Sequence, residues 1–183
     1  MKLNGLRAKI RPLVFAQIDL KYCTIKLKDG STPTPNEITV KIGEGNLTYS
    51  EKREMEYVRD RGLLDTVREG DEQPIDVTMD FTWEWLKGLT TSGAVPTIED
   101  ALKNRGAASD WVSSSADPCE PYCVDIQVFY SPPCGETYDE VIVLPDFRQT
   151  DLSHDLRAGT VSITGQCNAT EATVTRVAHT STY

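Results

Sequence analysis

The chain has 183 residues, is 39% hydrophobic and 26% charged, and carries a net charge of −9. That suits a single domain spanning 1–183 whose core needs no covalent staples. Residues 1–106 hold 16 basic against 17 acidic side chains and residues 107–183 hold 3 against 11, so the second part carries −8 of the −9. This balance excludes a protein that grips nucleic-acid phosphates, which needs cations to displace counterions, though not one that faces nucleic acid without holding it.

No apolar run approaches the roughly 18 residues of a membrane helix. At the N-terminus Lys2, Arg7, Lys9 and Arg11 precede an apolar stretch, Leu13 to Ala16, too short for a signal-peptide core. A cytosol-like compartment is the expectation.

Taken in chain order, Ile18 to Tyr22 and Ile25 to Lys28 alternate apolar and polar, as strands do. Asp29-Gly30 signals a turn, and "STPTPN" (31–36) a proline-bearing loop. Ile38 to Ile42 alternates again and ends at Gly43-Glu44-Gly45. In "NLTYSEKREMEYVRDRG" (46–62), Leu47 and Tyr49 alternate like a strand, while the charges from Glu51 to Arg61 also suit an exposed helix. The favoured reading is a projecting hairpin arm over 46–73, turning at Arg61-Gly62 and running into a charged loop, "REGDEQP" (68–74).

"IDVTMDFTWEW" (75–85) is the clearest strand. Ile75, Val77, Met79, Phe81, Trp83 and Trp85 form one face, and Asp76, Thr78, Asp80, Thr82 and Glu84 the other. A helix is predicted over 97–105. Thr97 is its N-cap behind Pro96, Asp100 sits at the capping-box position, Ile98, Ala101 and Leu102 share a face, and Gly106 closes it. "SDWVSSSADP" (109–118) reads as loop. Val124 to Val128, Glu140 to Leu144, Gly159 to Cys167 and Ala172 to Ala178 complete the strands, with a turn at "SPPCG" (131–135). The fold class is mainly β, a sandwich or barrel with one short flanking α-helix.

Chemistry is sparse. Cys119, Cys123, Cys134 and Cys167 can be drawn as a zinc site, but they lack the paired C-x2-C knuckle, and buried or idle thiols are the better reading. Five cysteines without a secretory leader argue against a disulfide framework. Ser153-His154-Asp155 has the letters of a catalytic triad, yet neighbours in a chain point apart and a triad must converge. No phosphate-binding glycine loop is present. The expectation is a non-enzyme without cofactor or metal.

Residues 38–86, "ITVKIGEGNLTYSEKREMEYVRDRGLLDTVREGDEQPIDVTMDFTWEWL", resemble the core of the major tail tube proteins of long, non-contractile-tailed bacteriophages, nearest to the flagellum-seeking, Chi-like siphophages. The carrying elements are Gly43-Glu44-Gly45 with Leu47, "RDRG" (59–62), "VREGDEQP" (67–74) and the alternating strand after it. The later part fits more loosely. The cysteine-bearing stretch 117–135 has no general counterpart in that family, and 107–122 reads as a local insertion.

The resemblance implies a β-sandwich subunit with a flanking helix, six copies to a ring, and inner strands closing into one large barrel. Rings stack into a tail tube, and the partners are further copies of the chain, tape-measure, terminator and tip proteins, and genomic double-stranded DNA passing through unheld. The location implied is the virion tail. Asp76, Thr78, Asp80, Thr82 and Glu84 would then face the lumen. Contacts between subunits and rings would fall to Arg7, Lys9, Arg11, Arg59, Arg61, Glu69, Asp71 and Glu72. The competing reading is a monomeric β-sandwich binding module, such as a virion decoration or host-attachment domain, with a small hydrolase third.

Overall fold

Strands make up most of the described residues. The computed structural model describes residues 20–40, 45–82, 96–131 and 138–178. Within them run β1 (Cys23–Lys28), β2 (Glu37–Val40), β3 (Asn46–Ser50), β4 (Arg53–Asp60), β5 (Leu63–Glu72), β6 (Ile75–Thr82), α1 (Ile98–Lys103), β7 (Val124–Tyr130), β8 (Tyr138–Asp155), β9 (Thr160–Cys167) and β10 (Thr173–Ala178). The architecture is mainly β and antiparallel. The main sheet runs β2-β1-β7-β8-β9-β6-β3, with β10 also on β8, and β4-β5 form a separate two-stranded ribbon.

The 18-residue β8 is the spine of the sheet. One edge pairs with β7 through residues 140–147, and the other pairs first with β10 through 138–143 and then with β9 through 147–155. Phe147 is the crossing point, opposite Val124 on one side and Cys167 on the other. Pro145 has no N–H to give a ladder, and Asp146 adopts a positive φ of 51°, so the strand bulges there rather than ending. The sequence reading stopped this strand at Leu144; the bulge carries it eleven residues further.

Strands from both ends of the sheet feed one core. Ile25, Leu27, Ile38 and Val40 belong to the same cluster as Ile75, Val77, Met79 and Phe81, together with Val124, Ile126, Leu144, Phe147, Val161 and Ile163. One core cluster thus spans the sheet from β2 to β6. Burial at this scale is the main stabilising term, at about 1.5–3 kcal/mol for each fully buried large aliphatic or aromatic side chain.

Gly165 in β9 faces that core. A Cβ there would lie 2.3 Å from the Arg148 carbonyl oxygen and 2.6 Å from the Phe147 ring. The missing side chain is what lets the Phe147 ring lie across the backbone.

The helix forms as its capping box predicts. The Asp100 N–H donates to Thr97 Oγ1 (3.1 Å), and the Thr97 N–H donates to the Asp100 carboxylate (3.3 Å). It is shorter than the reading over 97–105, because Asn104 enters the left-handed region at φ 47° and serves as the C-cap. Ala101 and Leu102 are buried beneath it.

The stretch 107–122 does not hang free of the domain. Ala108 and Trp111 belong to the core cluster, and the Tyr122 hydroxyl donates to the Ala101 carbonyl (2.9 Å). Its anchor is Asp29, one of the two buried acidic residues among those described. Asp29 accepts from the Ser31 N–H and hydroxyl, the Asn36 N–H and side-chain amide, and the Val112 N–H, at 2.7–3.2 Å. Burial pushes this carboxyl up, but the donors outweigh it and hold it below the ordinary aspartate value.

Three further readings change. Leu20–Tyr22 is a short 3-10 turn, not the end of a strand. Asn46–Ser50 is an edge strand of the main sheet on β6, so the ribbon begins at Arg53 rather than at residue 46. Residues 68–72 are strand, not loop, because Arg68, Glu69 and Glu72 pair with Glu56, Met55 and Arg53 of β4 and the chain bulges at Gly70-Asp71 between them. Gly43, Glu44, Trp83, Glu84, Trp85, Cys134, Arg7, Lys9 and Arg11 lie outside the described residues.

Candidate functional site: a polar four-strand face and an exposed ribbon

β6 has two unlike faces. Ile75, Val77, Met79 and Phe81 are buried, while Asp76, Thr78, Asp80 and Thr82 stand on the opposite side, partly or fully exposed. Residues paired across antiparallel strands share a face, so the register extends this polar side. On β3 it continues through Asn46, Thr48 and Ser50. On β9 it continues through Thr160, Ser162, Thr164 and Gln166, and on β8 through Arg148, Asp151, Ser153 and Asp155. The result is a four-strand surface of hydroxyls, amides and carboxylates, without an apolar side chain among these fifteen positions.

The face is not free of cations, although β6 itself contributes none. Lys52 pairs with Asp76, and Gln166 donates to the same carboxylate at 2.9 Å. The Lys52 hydrogen bond, then that of Gln166, lowers the Asp76 pKa. Arg148 pairs with Glu120, which also accepts from the Ser115 hydroxyl at 2.6 Å and the Asn168 amide at 3.2 Å. Asp155 serves its own turn. The Ala158 and Arg157 N–H groups donate to its carboxylate at 3.0 and 2.8 Å and lower its pKa.

The extra members of the face were invisible as a group in the sequence. Each strand's alternation is readable, as in Thr160, Ser162, Thr164 and Gln166, but which strands lie side by side is a non-local fact. Local reading therefore isolated β6 alone.

The β4-β5 ribbon turns at Arg61-Gly62, with φ of 51° and 86°. Positive φ at both central residues matches the strands' right-handed twist and favours glycine second. Its strands pair only with each other, and nearly every residue is exposed. Tyr57 and Val67 face each other across it at 58% and 55% exposure, and Leu63 and Leu64 near the tip are at 75% and 66%. Arg59 and Arg61 lie at the tip, whereas Glu69, Asp71 and Glu72 lie on β5 towards the root. The two groups are thus at opposite ends of one ribbon, and neither meets the other within the chain.

Among the described residues the thiols form no metal-ligand group. Cys119 is exposed, while Cys123 and Cys167 are buried. Among the described residues no His, Cys, Asp and Glu side chains group as metal ligands. The Ser113 and Ser114 hydroxyls and the Ser115 N–H surround Cys123 Sγ at 3.2–3.3 Å. Burial, then the charges of Asp125 and Asp146, pushes the Cys167 thiol up to about 12, which makes it a poor nucleophile. Ser153 and His154 lie on opposite faces of β8. His154 is 3.7 Å from Glu99 of α1, so the three letters do not converge.

No protein-family model matches the chain, and no curated protein matches it in sequence. Among solved structures it is similar to the PVC sheath/tube terminator of an extracellular contractile injection system in its extended state. The TM-score is 0.51 at 12% identity, over 88% of this chain and 99% of that one. The PVC sheath-tube complex in the extended state gives 0.49 at 13%, over 90% and 95%.

At 12% identity the first likeness is one of fold alone, shared with that sheath/tube terminator. Its source is a contractile system. The likeness therefore does not extend to the long non-contractile, Chi-like type, which rests on the sequence resemblance alone.

Proposed function

We propose that the chain is a non-catalytic structural subunit of a phage-type tail tube. Six copies, as the sequence resemblance implies, close a ring, and β3, β6, β9 and the second half of β8 present their polar face to a shared lumen. Stacked rings conduct double-stranded DNA, and tape-measure, terminator and tip proteins meet the tube along it and at its ends. The non-contractile type is part of the proposal.

The observation that carries it is the four-strand polar face opposite the core. A large closed barrel leaves an aqueous channel, and its inner wall must be wettable along its whole width. Duplex DNA carries about one charge per 1.7 Å, and a basic wall would hold it by counterion release. Hydroxyls and amides wet the wall without gripping, Asp80 and Asp151 repel weakly, and Lys52 and Arg148 are already engaged by Asp76 and Glu120. The exposed ribbon, with apolar side chains and charges of both signs, suits contact with a neighbouring subunit.

Negative-stain microscopy and light scattering of the purified chain test the reading. Rings or tubes with a central channel are expected. A monodisperse small particle at all concentrations would favour the monomeric binding module instead.

A further inference from the structure

The ribbon's root differs chemically from its length. Four consecutive residues there each take a polar partner. Glu51 accepts from the Ala172 N–H at 2.7 Å, Lys52 pairs with Asp76, Arg53 pairs with Glu171, and Glu54 accepts from the Gln73 amide at 3.3 Å. Three of the four partners belong to the body: Asp76 on β6, and Glu171 and Ala172 in the loop between β9 and β10. The fourth, Glu54–Gln73, ties the entry of the ribbon to its exit. Beyond the root the two strands pair only with each other.

We propose that residues 51–54 form an ionic latch that fixes the angle of the β4-β5 ribbon on the subunit, and that competing salt releases it. Three observations support this beyond the contacts themselves. The pairs are exposed: the side chains of Lys52 and Asp76 are 60% and 36% accessible, and those of Arg53 and Glu171 62% and 58%. Exposed ion pairs are weak and are screened by salt, so they hold a geometry without locking it. Second, a cleft of about 290 Å³ opens beside these contacts, lined among others by Gly70, Asp71 and Thr170, so the root is not packed solidly against the loop. Third, packing cannot replace the latch, because no ribbon residue joins the core cluster.

The inference stands whether or not the chain builds a tube, since it concerns one subunit. It is tested on the full chain at a dilution where it is monomeric. A donor and an acceptor are introduced as non-natural side chains at Asp60 near the ribbon tip and at Thr39 on the far strand β2. Single-molecule energy transfer reads the spread of distances at about 0.01 M and about 1 M salt, where the Debye length falls from roughly 30 Å to 3 Å. The expected result is a narrow distribution at low salt that broadens at high salt. With Glu51→Ala and Arg53→Ala together it should be broad at both.

The exchanged pair Arg53→Glu with Glu171→Arg should restore the narrow distribution at low salt. Amide exchange on β6 and β9 in the same samples reports that the body stays folded. A distribution indifferent to salt and to the double alanine variant, one already broad in the unaltered chain at low salt, or one still broad in the exchanged pair would overturn the latch.

Discussion

Asp76 on β6 lies directly opposite Gln166 on β9, and the Gln166 side-chain amide donates to the Asp76 carboxylate at 2.9 Å. The contact joins neighbouring strands on their solvent side, which is how a polar wall can be ordered without being apolar. Residues further along the same wall, Asp80 and Asp151, are exposed carboxylates.

Changing Asp80 and Asp151 together to lysine should leave folding intact, because Met79 and Phe81 point to the core and Asp151 is exposed. In the proposed tube, every ring would then gain a collar of ammonium groups that binds phosphate by counterion release. Virions carrying the change should adsorb normally and eject DNA poorly, with partial rescue in high salt. Normal ejection would remove this face from the channel.

Gly165→Ala should destabilise the subunit by about 1–3 kcal/mol, through overpacking against the Phe147 ring and the Arg148 carbonyl. Phe147→Ala should cost more, about 3–5 kcal/mol, since the ring is fully buried where β7, β8 and β9 meet. Denaturant midpoints at constant slope measure both. A smaller loss for Phe147→Ala than for Gly165→Ala would contradict the packing described here.

Asp29 gives a pH dependence with a defined sign. Its folded pKa is lowered relative to an unfolded value near 3.9. Its contribution is therefore complete above about pH 4 and is lost as pH falls through the folded value. Asp29→Asn should be less stable than the unaltered chain at neutral pH, and the gap should shrink in acid. A gap that is constant down to the acid transition would show that the charge of Asp29 is not what its five donors recognise.

Replacing residues 56–68 by Asn-Gly should leave a short hairpin closed between Met55 and Glu69, which face each other in the ribbon. Subunit stability should change little, because every residue removed is exposed. Long tubes should fail to form. Unfolding of the shortened chain would mean that the ribbon supports the core, and normal tubes would remove it from assembly.

What the sequence disclosed follows the range of the interactions involved. The β6 faces, the Thr97–Asp100 capping box and the Arg61-Gly62 turn are local, and each is written within a few residues. The continuation of β8 past Pro145 was not legible, because only pairing with β9 keeps that segment extended. Residues 46–50 looked like part of an arm until β6 claimed them. Residues 68–72 looked like loop because glycine and charges dominate them. Gly70 is in fact where the Glu54 side chain lies, and a Cβ there would come within 2.8 Å of it. The candidate site was found one strand wide, since register between distant strands leaves no trace in a single sequence. The latch at 51–54 depends on a loop more than a hundred residues away and was likewise unseen.

The central claim is that the polar face of β6 lines a channel made by several copies of this chain. A cryo-EM reconstruction of the assembled protein tests it most directly. Stacked rings are expected in which Asp76, Thr78, Asp80 and Thr82 of every copy point to the axis, with the β4-β5 ribbons in contact with neighbouring subunits. An assembly in which these residues face the outer solvent, or are buried between subunits away from any channel, would contradict it.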